Sequence, residues 1–115
     1  MNVIHHSMLE RRSNDGCCVQ TVAGADLCKA PFEVQVLSVD ANGRTSHETH
    51  AQTRVLLALT GSGKLLLDSG PQRFSAPCTL VIPAGAGFQL VNNAATPMQL
   101  VSVFMPPAAV EVVQP

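Results

Sequence analysis

The chain predicts an all-β protein, a sandwich or barrel built from short strands. Three observations carry this reading. In "PFEVQVLSV", Phe32, Val34 and Val36 alternate with Glu33, Gln35 and Leu37, the period of two that a half-buried strand requires. Turn-forming residues recur roughly every ten positions, the spacing of short strands joined by tight connections. No stretch carries a 3.6-residue apolar stripe between helix caps.

Taken in order, residues 1–16, "MNVIHHSMLERRSNDG", are polar and read as an N-terminal arm, with residues 17–115 as a single domain. His5 and His6 are expected on the surface of that arm, and Arg11 with Arg12 as a solvated pair. The run that includes Phe32 ends at "DANG", where Asn42 and Gly43 tolerate the positive φ of a tight turn. "RVLLALTG" is apolar at successive positions, the pattern of a strand covered on both faces. "GSG" interrupts it, "KLLLD" resumes it, and "DSGP" turns the chain again. "TLVIP", "FQLVN" and "MQLVSVFMP" follow as strands, separated by "AGAG" and "NNAATP". Pro83, Pro97, Pro106 and Pro107 fall at strand ends, where a missing N–H does little harm. The last ten residues, "PPAAVEVVQP", read as an edge strand for this or a neighbouring subunit, and Met98 and Met105 as core or interface packing.

Composition removes several function classes. Hydrophobic residues make up 46% and charged ones 13% of the 115, too apolar for a disordered chain. Seven basic residues against eight acidic give a formal charge of −1, and the Lys and Arg are scattered along the sequence. Without a basic stripe, and with Phe as the only aromatic, neither a nucleic-acid surface nor charged membrane docking is expected. The longest apolar runs are far shorter than the roughly 20 residues that span a bilayer, and the N-terminus has no signal-peptide pattern, so a cytoplasmic location is expected. Cys17, Cys18, Cys28 and Cys78 show no C-x-x-C spacing and read as reduced thiols rather than a zinc site.

Two motifs fail on inspection. "HETH" has its histidines three apart in a β-rich context, whereas a zinc-protease H-E-x-x-H needs them four apart on a helix. "TGSGKLLL" ends like a phosphate-binding loop, but Ala58 stands where the first Gly is required and Leu65 where Ser or Thr should follow Lys64. It reads as a tight turn between strands.

A third pattern fits in part. The stretch from about Phe32 to Met105 resembles the cupin family, small β-barrels described by G-x5-H-x-H-x3–4-E-x6-G and G-x5-P-x-G-x2-H-x3-N. "PCTLVIPAGAGFQLVN" places Pro83, Gly85 and Asn92 on the fixed Pro, Gly and Asn of the second motif, with Pro77 replacing its leading Gly. Counting back from Gly61, the first motif places Arg54, His50 and Glu48 at ligand positions, with Asn42 at the leading Gly. The resemblance implies an antiparallel double-stranded β-helix, or jelly-roll barrel of the RmlC-like kind. It also implies that Glu48, His50, Arg54 and Phe88 stand where cupins carry two His, a Glu and a third His around iron, manganese, zinc or nickel. Only His50 keeps its expected identity. A register shift of one residue would instead bring His47 inward.

Alternation puts Glu48, His50 and Arg54 on one face and His47 on the other, with Gln52 sharing the parity of the first three. A divalent ion about 5 Å from a guanidinium, at an effective dielectric of about 20, meets a repulsion on the order of 6 to 7 kcal/mol. Two protein ligands are also fewer than the three that catalytic zinc keeps. No cofactor is therefore expected, with a divalent Fe, Mn, Zn or Ni ion as the alternative. Arg54 is expected to pair with Glu48 in the space a metal would fill. The leading expectation is a cupin-fold protein that binds a small organic, anionic ligand in a mostly apolar pocket carrying Glu48, His50, Gln52, Arg54 and Phe88. The alternative is an enzyme, either a metal-free isomerase or epimerase using His50 as base, or a metal-dependent dioxygenase using His47, His50 and Glu48. A homodimer is expected in either case.

Overall fold

In the computed structural model, which describes residues 2–105, two antiparallel sheets each bury one face against the other. The strand expected around Val34–Val36 forms, but the face it buries carries Gln35, Leu37 and Val39. Val34 and Val36 instead pair with the outward Val103 and Val101, and Phe32 is exposed, the reverse of the apolar set that period two marks. The strands are β1 (Arg12–Asn14), β2 (Cys17–Ala23), β3 (Glu33–Val39), β4 (Glu48–Thr49), β5 (Arg54–Thr60), β6 (Ser62–Leu67), β7 (Gly70–Ser75), β8 (Cys78–Ile82), β9 (Gly87–Val91) and β10 (Met98–Phe104). Their order is β1-β2-β3-β10-β5-β8 in the larger sheet and β4-β9-β6-β7 in the smaller. This is the jelly roll that the sequence led us to expect. A 3-10 turn (His6–Met8) and a single helical turn, α1 (Ala25–Cys28), are the helical elements among the described residues. None of the described helices is long and apolar enough to cross a membrane.

Register explains the core. Across the larger sheet Leu100 faces Leu37 on one side and Ala58 on the other, while Met98 faces Val39 and Leu56 faces Leu80. Across the smaller sheet Leu65 faces Leu90, and Leu67 faces Phe88. These inward side chains, with Ile82, form one cluster drawn from both sheets, buried except for Leu37 and Leu67, which are half-buried and pack against it. Burying each Leu, Ile or Phe contributes roughly 1.5 to 3 kcal/mol before the entropy of ordering it is counted.

The smaller sheet is tied to the larger by a polar side chain. Asn92, fully buried just beyond β9, places its Nδ2 within hydrogen-bonding range of the carbonyls of Val39, Asp40 and Thr96, at 3.1, 3.1 and 2.8 Å. Two amide hydrogens serve three acceptors, so one is shared. Its Oδ1 accepts from the Ala94 amide, and its own N–H donates to Gly43. Gly61, at φ +92°, carries the chain from one sheet to the other where a Cβ would come within 2.9 Å of the Met98 backbone.

Several expectations change. "RVLLALTG" is strand β5, but it is covered on one face only in this chain: Leu57 and Leu59 are 39% and 51% exposed. Strands β1, β2 and β7 have no counterpart in the sequence pattern, and the extended stretch expected from His47 to Arg54 is a strand only at Glu48–Thr49 before β5 begins. Part of the segment read as an arm joins the larger sheet, since Arg12 pairs with Val19 and Asn14 with Cys17. Residues before β1 are anchored by Gln20, whose amide donates to the carbonyls of His6 and Leu9 at 2.6 and 3.2 Å. The edge strand expected in residues 106–115 lies outside the described residues.

If Asn92 is the tie between sheets, Asn92→Ala, and equally Asn92→Asp with its donors removed, loses about 2 to 4 kcal/mol of stability. Urea unfolding measures this directly. A loss below about 0.5 kcal/mol, the level of an ordinary surface change, would show that the tie is dispensable.

Candidate functional site

Strand parity sends one set of side chains into a cavity of about 460 Å³ between the sheets. Glu48 on β4 pairs with Phe88 on β9, so both project inward. Arg54, the first residue of β5, faces Ile82 across the ladder, which also turns it inward. Glu48, His50, Arg54 and Phe88 all line the cavity, and Leu37, Leu56 and Leu90 supply apolar wall. Gln52, given the same parity by the sequence, is exposed in the loop before β5 and is not among the lining residues. Parity holds only while the chain stays extended, and it does not between His50 and Arg54.

Within the cavity, His50 Nε2 lies 2.9 Å from Glu48 Oε1. Ser46 Oγ donates to the other carboxylate oxygen at 3.3 Å. The His50 ring packs against Phe88 with centroids 5.8 Å apart and planes inclined at 46°. His50 is also positioned through its backbone, since its carbonyl accepts from the Gly85 amide at 2.7 Å. Gly85 is thus the turn residue that holds the loop carrying the histidine.

Arg54 departs from expectation. Glu48 is bonded to His50, and Arg54 instead lies over Phe104, its Cζ 3.6 Å from the ring centroid. The register accounts for this: Val55 pairs with Val103, so Arg54 and Phe104 are neighbours one step along the same ladder. Glu48 belongs to the opposite sheet. A guanidinium over an aromatic face is worth about 0.5 to 2 kcal/mol. Burial lowers the Arg54 pKa from its ordinary value, and Glu48 and Glu33 work in the opposite direction. Arginine nonetheless keeps its charge near neutrality.

The metal alternative does not fit these donors. His47 sits on the outer side of the wall, with its ring against Gly87, where an added Cβ would lie 2.7 Å from His47 Cε1. His47, His50 and Glu48 therefore do not converge. Among the described residues no group of three or more His, Cys, Asp or Glu is placed to hold an ion. Glu48 and His50 are two donors, and Phe88 puts a ring where a third would stand.

Some of the lining was invisible in the sequence. Arg12 and Asn14 reach the cavity from β1, Cys17 and Val19 from β2, and Gln35 from β3, with Thr45 and Ser46 from the loop before β4. Gln35 lies in one cross-strand row with Ser102 and Leu56. Ser102 is fully buried there, and its Oγ has no hydrogen-bond partner among the described residues. Burial above all, then Cys18, Glu48 and Asp40, pushes the Cys17 thiol above its ordinary 9.0.

The sign of the Cys17 effect follows. The native thiol stays protonated where the unfolded chain ionises, so its contribution to stability is complete below pH 9.0 and is lost as pH climbs through the folded value. Cys17→Ala accordingly flattens the alkaline decline in stability. In the native protein iodoacetamide labels the exposed Cys28 before Cys17, as read by peptide mass mapping. Equal labelling rates would contradict the placement of Cys17.

No family model matches the chain, and no curated protein matches it. Solved structures do. A cupin 2 conserved barrel domain protein from Salinispora arenicola superposes with a TM-score of 0.79 at 22% identity, over 94% of this chain and 91% of that one. An RmlC-like cupin from Shewanella frigidimarina gives 0.75 at 14% identity, over 95% and 94%. The polyketide cyclase RemF from Streptomyces resistomycificus gives 0.77 at 20% identity, over 93% and 82%. At these identities the likeness carries the fold and no reaction. With two facing antiparallel sheets and neighbours of this kind, the chain is a small protein of the RmlC-like cupin fold.

Proposed function

We propose that the chain binds a small organic anion in the cavity between its sheets, without a metal. The observation that carries this is Arg54: a guanidinium lining a cavity of about 460 Å³, stacked on Phe104 and, among the described residues, not ion-paired with any carboxylate. Apolar walls with a few polar groups at fixed positions are the usual composition of a small-molecule site, and the volume falls within the usual range. Arg54 takes the anionic end, because a planar fork binds a carboxylate through two parallel hydrogen bonds. Phe88 and Leu56 contact the apolar body. Glu48, held by His50 and Ser46, repels a second anionic group at that end of the cavity. With Arg12 as a second guanidinium in the lining, the ligand is an organic anion with an apolar portion.

A fragment screen by thermal shift, pairing each carboxylic acid with its primary amide, tests this. Acids raise Tm and amides do not, and Arg54→Gln weakens the acids by at least about tenfold, the loss of one charge-assisted hydrogen bond or more. Acids and amides binding alike, or stoichiometric metal in chelator-free preparations, would overturn the reading.

A second reading is supported by the 2.9 Å contact between His50 and Glu48. A carboxylate that orients an imidazole is the arrangement of a general base, and Arg54 would stabilise an enolate-like charge. On this reading the protein is a metal-free isomerase or epimerase. Solvent deuterium entering the α-position of a bound acid, and ceasing in His50→Gln, establishes it. Binding without exchange leaves the simpler reading.

We infer further that two copies pair through the outer face of the larger sheet. Its outward positions on β5, β8 and β10 include Val55, Leu57, Val81, Val101 and Val103, and Leu57, Val81 and Val103 are 39%, 56% and 39% exposed. These strands put no charged side chain on that face, so a second copy brings no like charges together. Light scattering on the full chain gives twice its 12.1 kDa mass at micromolar concentration, and Leu57→Lys gives the single mass. A single mass for the unsubstituted chain would refute the pairing.

A further inference from the structure

Three basic residues that are scattered in sequence align on the folded surface. In the β6–β7 hairpin Lys64 pairs directly with Arg73, and the adjacent outward row pairs Ser62 with Ser75. Leu65 is buried and faces Leu90, so these even-numbered positions of β6 point away from the core. Val91 pairs with Lys64 on its other side and bridges Arg44 in turn. Arg44, Lys64 and Arg73 thus stand in one cross-strand row on the outer face of the smaller sheet. They are three of the chain's seven basic residues, in a protein with a net charge of −1.

Like charges directly opposite each other in an antiparallel pair are destabilising. Acidic neighbours would ordinarily relieve the cost, yet among the described residues neither Lys64 nor Arg73 forms an ion pair. Both instead line a shallow cleft of about 150 Å³ with Ser62, Ser75 and Asn93. No carboxylate is among its lining residues. At roughly 30 Å³ per water the cleft has room for about five waters, which suits one compact oxyanion.

We propose that this cleft is a second site, separate from the cavity between the sheets, and that it binds a phosphoryl group as inorganic phosphate or a small phosphate monoester. A phosphate monoester carries about −1.5 to −2 charge at neutral pH and several acceptor oxygens. That charge neutralises the Lys64–Arg73 pair. Two hydroxyls and the Asn93 amide supply further donors. A carboxylate, with one charge and two oxygens, would leave one cation and several donors unused. Arg44, two strands from Lys64 and so about 10 Å away along the row, adds attraction at longer range without entering the cleft.

The test is a titration of the ¹⁵N-labelled full chain with inorganic phosphate, followed by amide chemical shifts and run against chloride at matched ionic strength. Saturable shifts confined to residues 62–64, 73–75 and Asn93 are expected. Lys64→Gln and Arg73→Gln each weaken binding about tenfold, as loss of a charge-assisted hydrogen bond requires. Both side chains point outward, so both variants fold. A second readout separates a binding site from an incidental pair of surface charges. Without phosphate each variant melts higher than the unsubstituted protein, because repulsion is relieved, and at a given concentration phosphate raises Tm of the unsubstituted protein more than that of either variant. Shifts that scale with ionic strength over the whole surface, shifts centred on Arg54 and His50, or unchanged affinity in both variants would overturn the proposal.

Discussion

One buried amide sets the relation between the two sheets. Asn92 leaves the end of β9 in the smaller sheet and bonds to the carbonyls that close β3 in the larger. Because β9 also pairs with β4, that bond fixes where Phe88 and Glu48 stand relative to β3, β5 and β10. A bare apolar core would not hold this relation as tightly. Hydrophobic contact is non-directional, so apolar faces alone specify a relative placement less sharply than a hydrogen bond does. An amide buried away from water must find its partners, so any slip leaves polar groups orphaned. The geometry of the cavity inherits its definition from that requirement.

Much of the fold could be read in the sequence because alternation is a local property. The strand through Val34–Val36 announces itself by period two, and those through Leu80–Ile82 and Met98–Phe104 by short apolar runs between turns. Other strands do not. β7, "GPQRFS", is a polar edge strand whose one half-buried aromatic, Phe74, gives no repeat to detect. β4 has two residues, too few for any period, and β1 buries none of its three. β4 is identified by its pairing with β9, distant in sequence, whereas β1 and β7 pair with their neighbours β2 and β6 and are hidden because they bury too little to mark a face. The helical turn α1 is likewise too short to carry a stripe.

The site divides along the same line. Glu48, His50, Arg54 and Phe88 were legible because family spacing and parity both point inward at those positions. Gln52 was misplaced because the chain leaves extended geometry between His50 and Arg54. The pairing of Arg54 was misjudged for a different reason: Phe104 lies fifty residues away and reaches Arg54 only through the β5–β10 ladder. Arg12 and Asn14 could not be foreseen once residues 1–16 were read as a polar arm, and Cys17 carried no pattern that marked it as lining. The opposite error occurred on the outer surface, where Arg44, Lys64 and Arg73 look dispersed until strand register stacks them.

The first edge of the larger sheet has a practical bearing. Residues 2–11 are fastened to the outer side of β2 through Gln20, while the next few residues cross the strand edge and present Arg12 and Asn14 to the interior. This short stretch is therefore both surface and rim. A truncation made to tidy the terminus would remove one of two guanidiniums from the cavity lining, and a bulky fusion there would press on the entrance. Engineering of this molecule is safer at the β6–β7 turn, where Asp68 and Ser69 are exposed and neither lines the cavity.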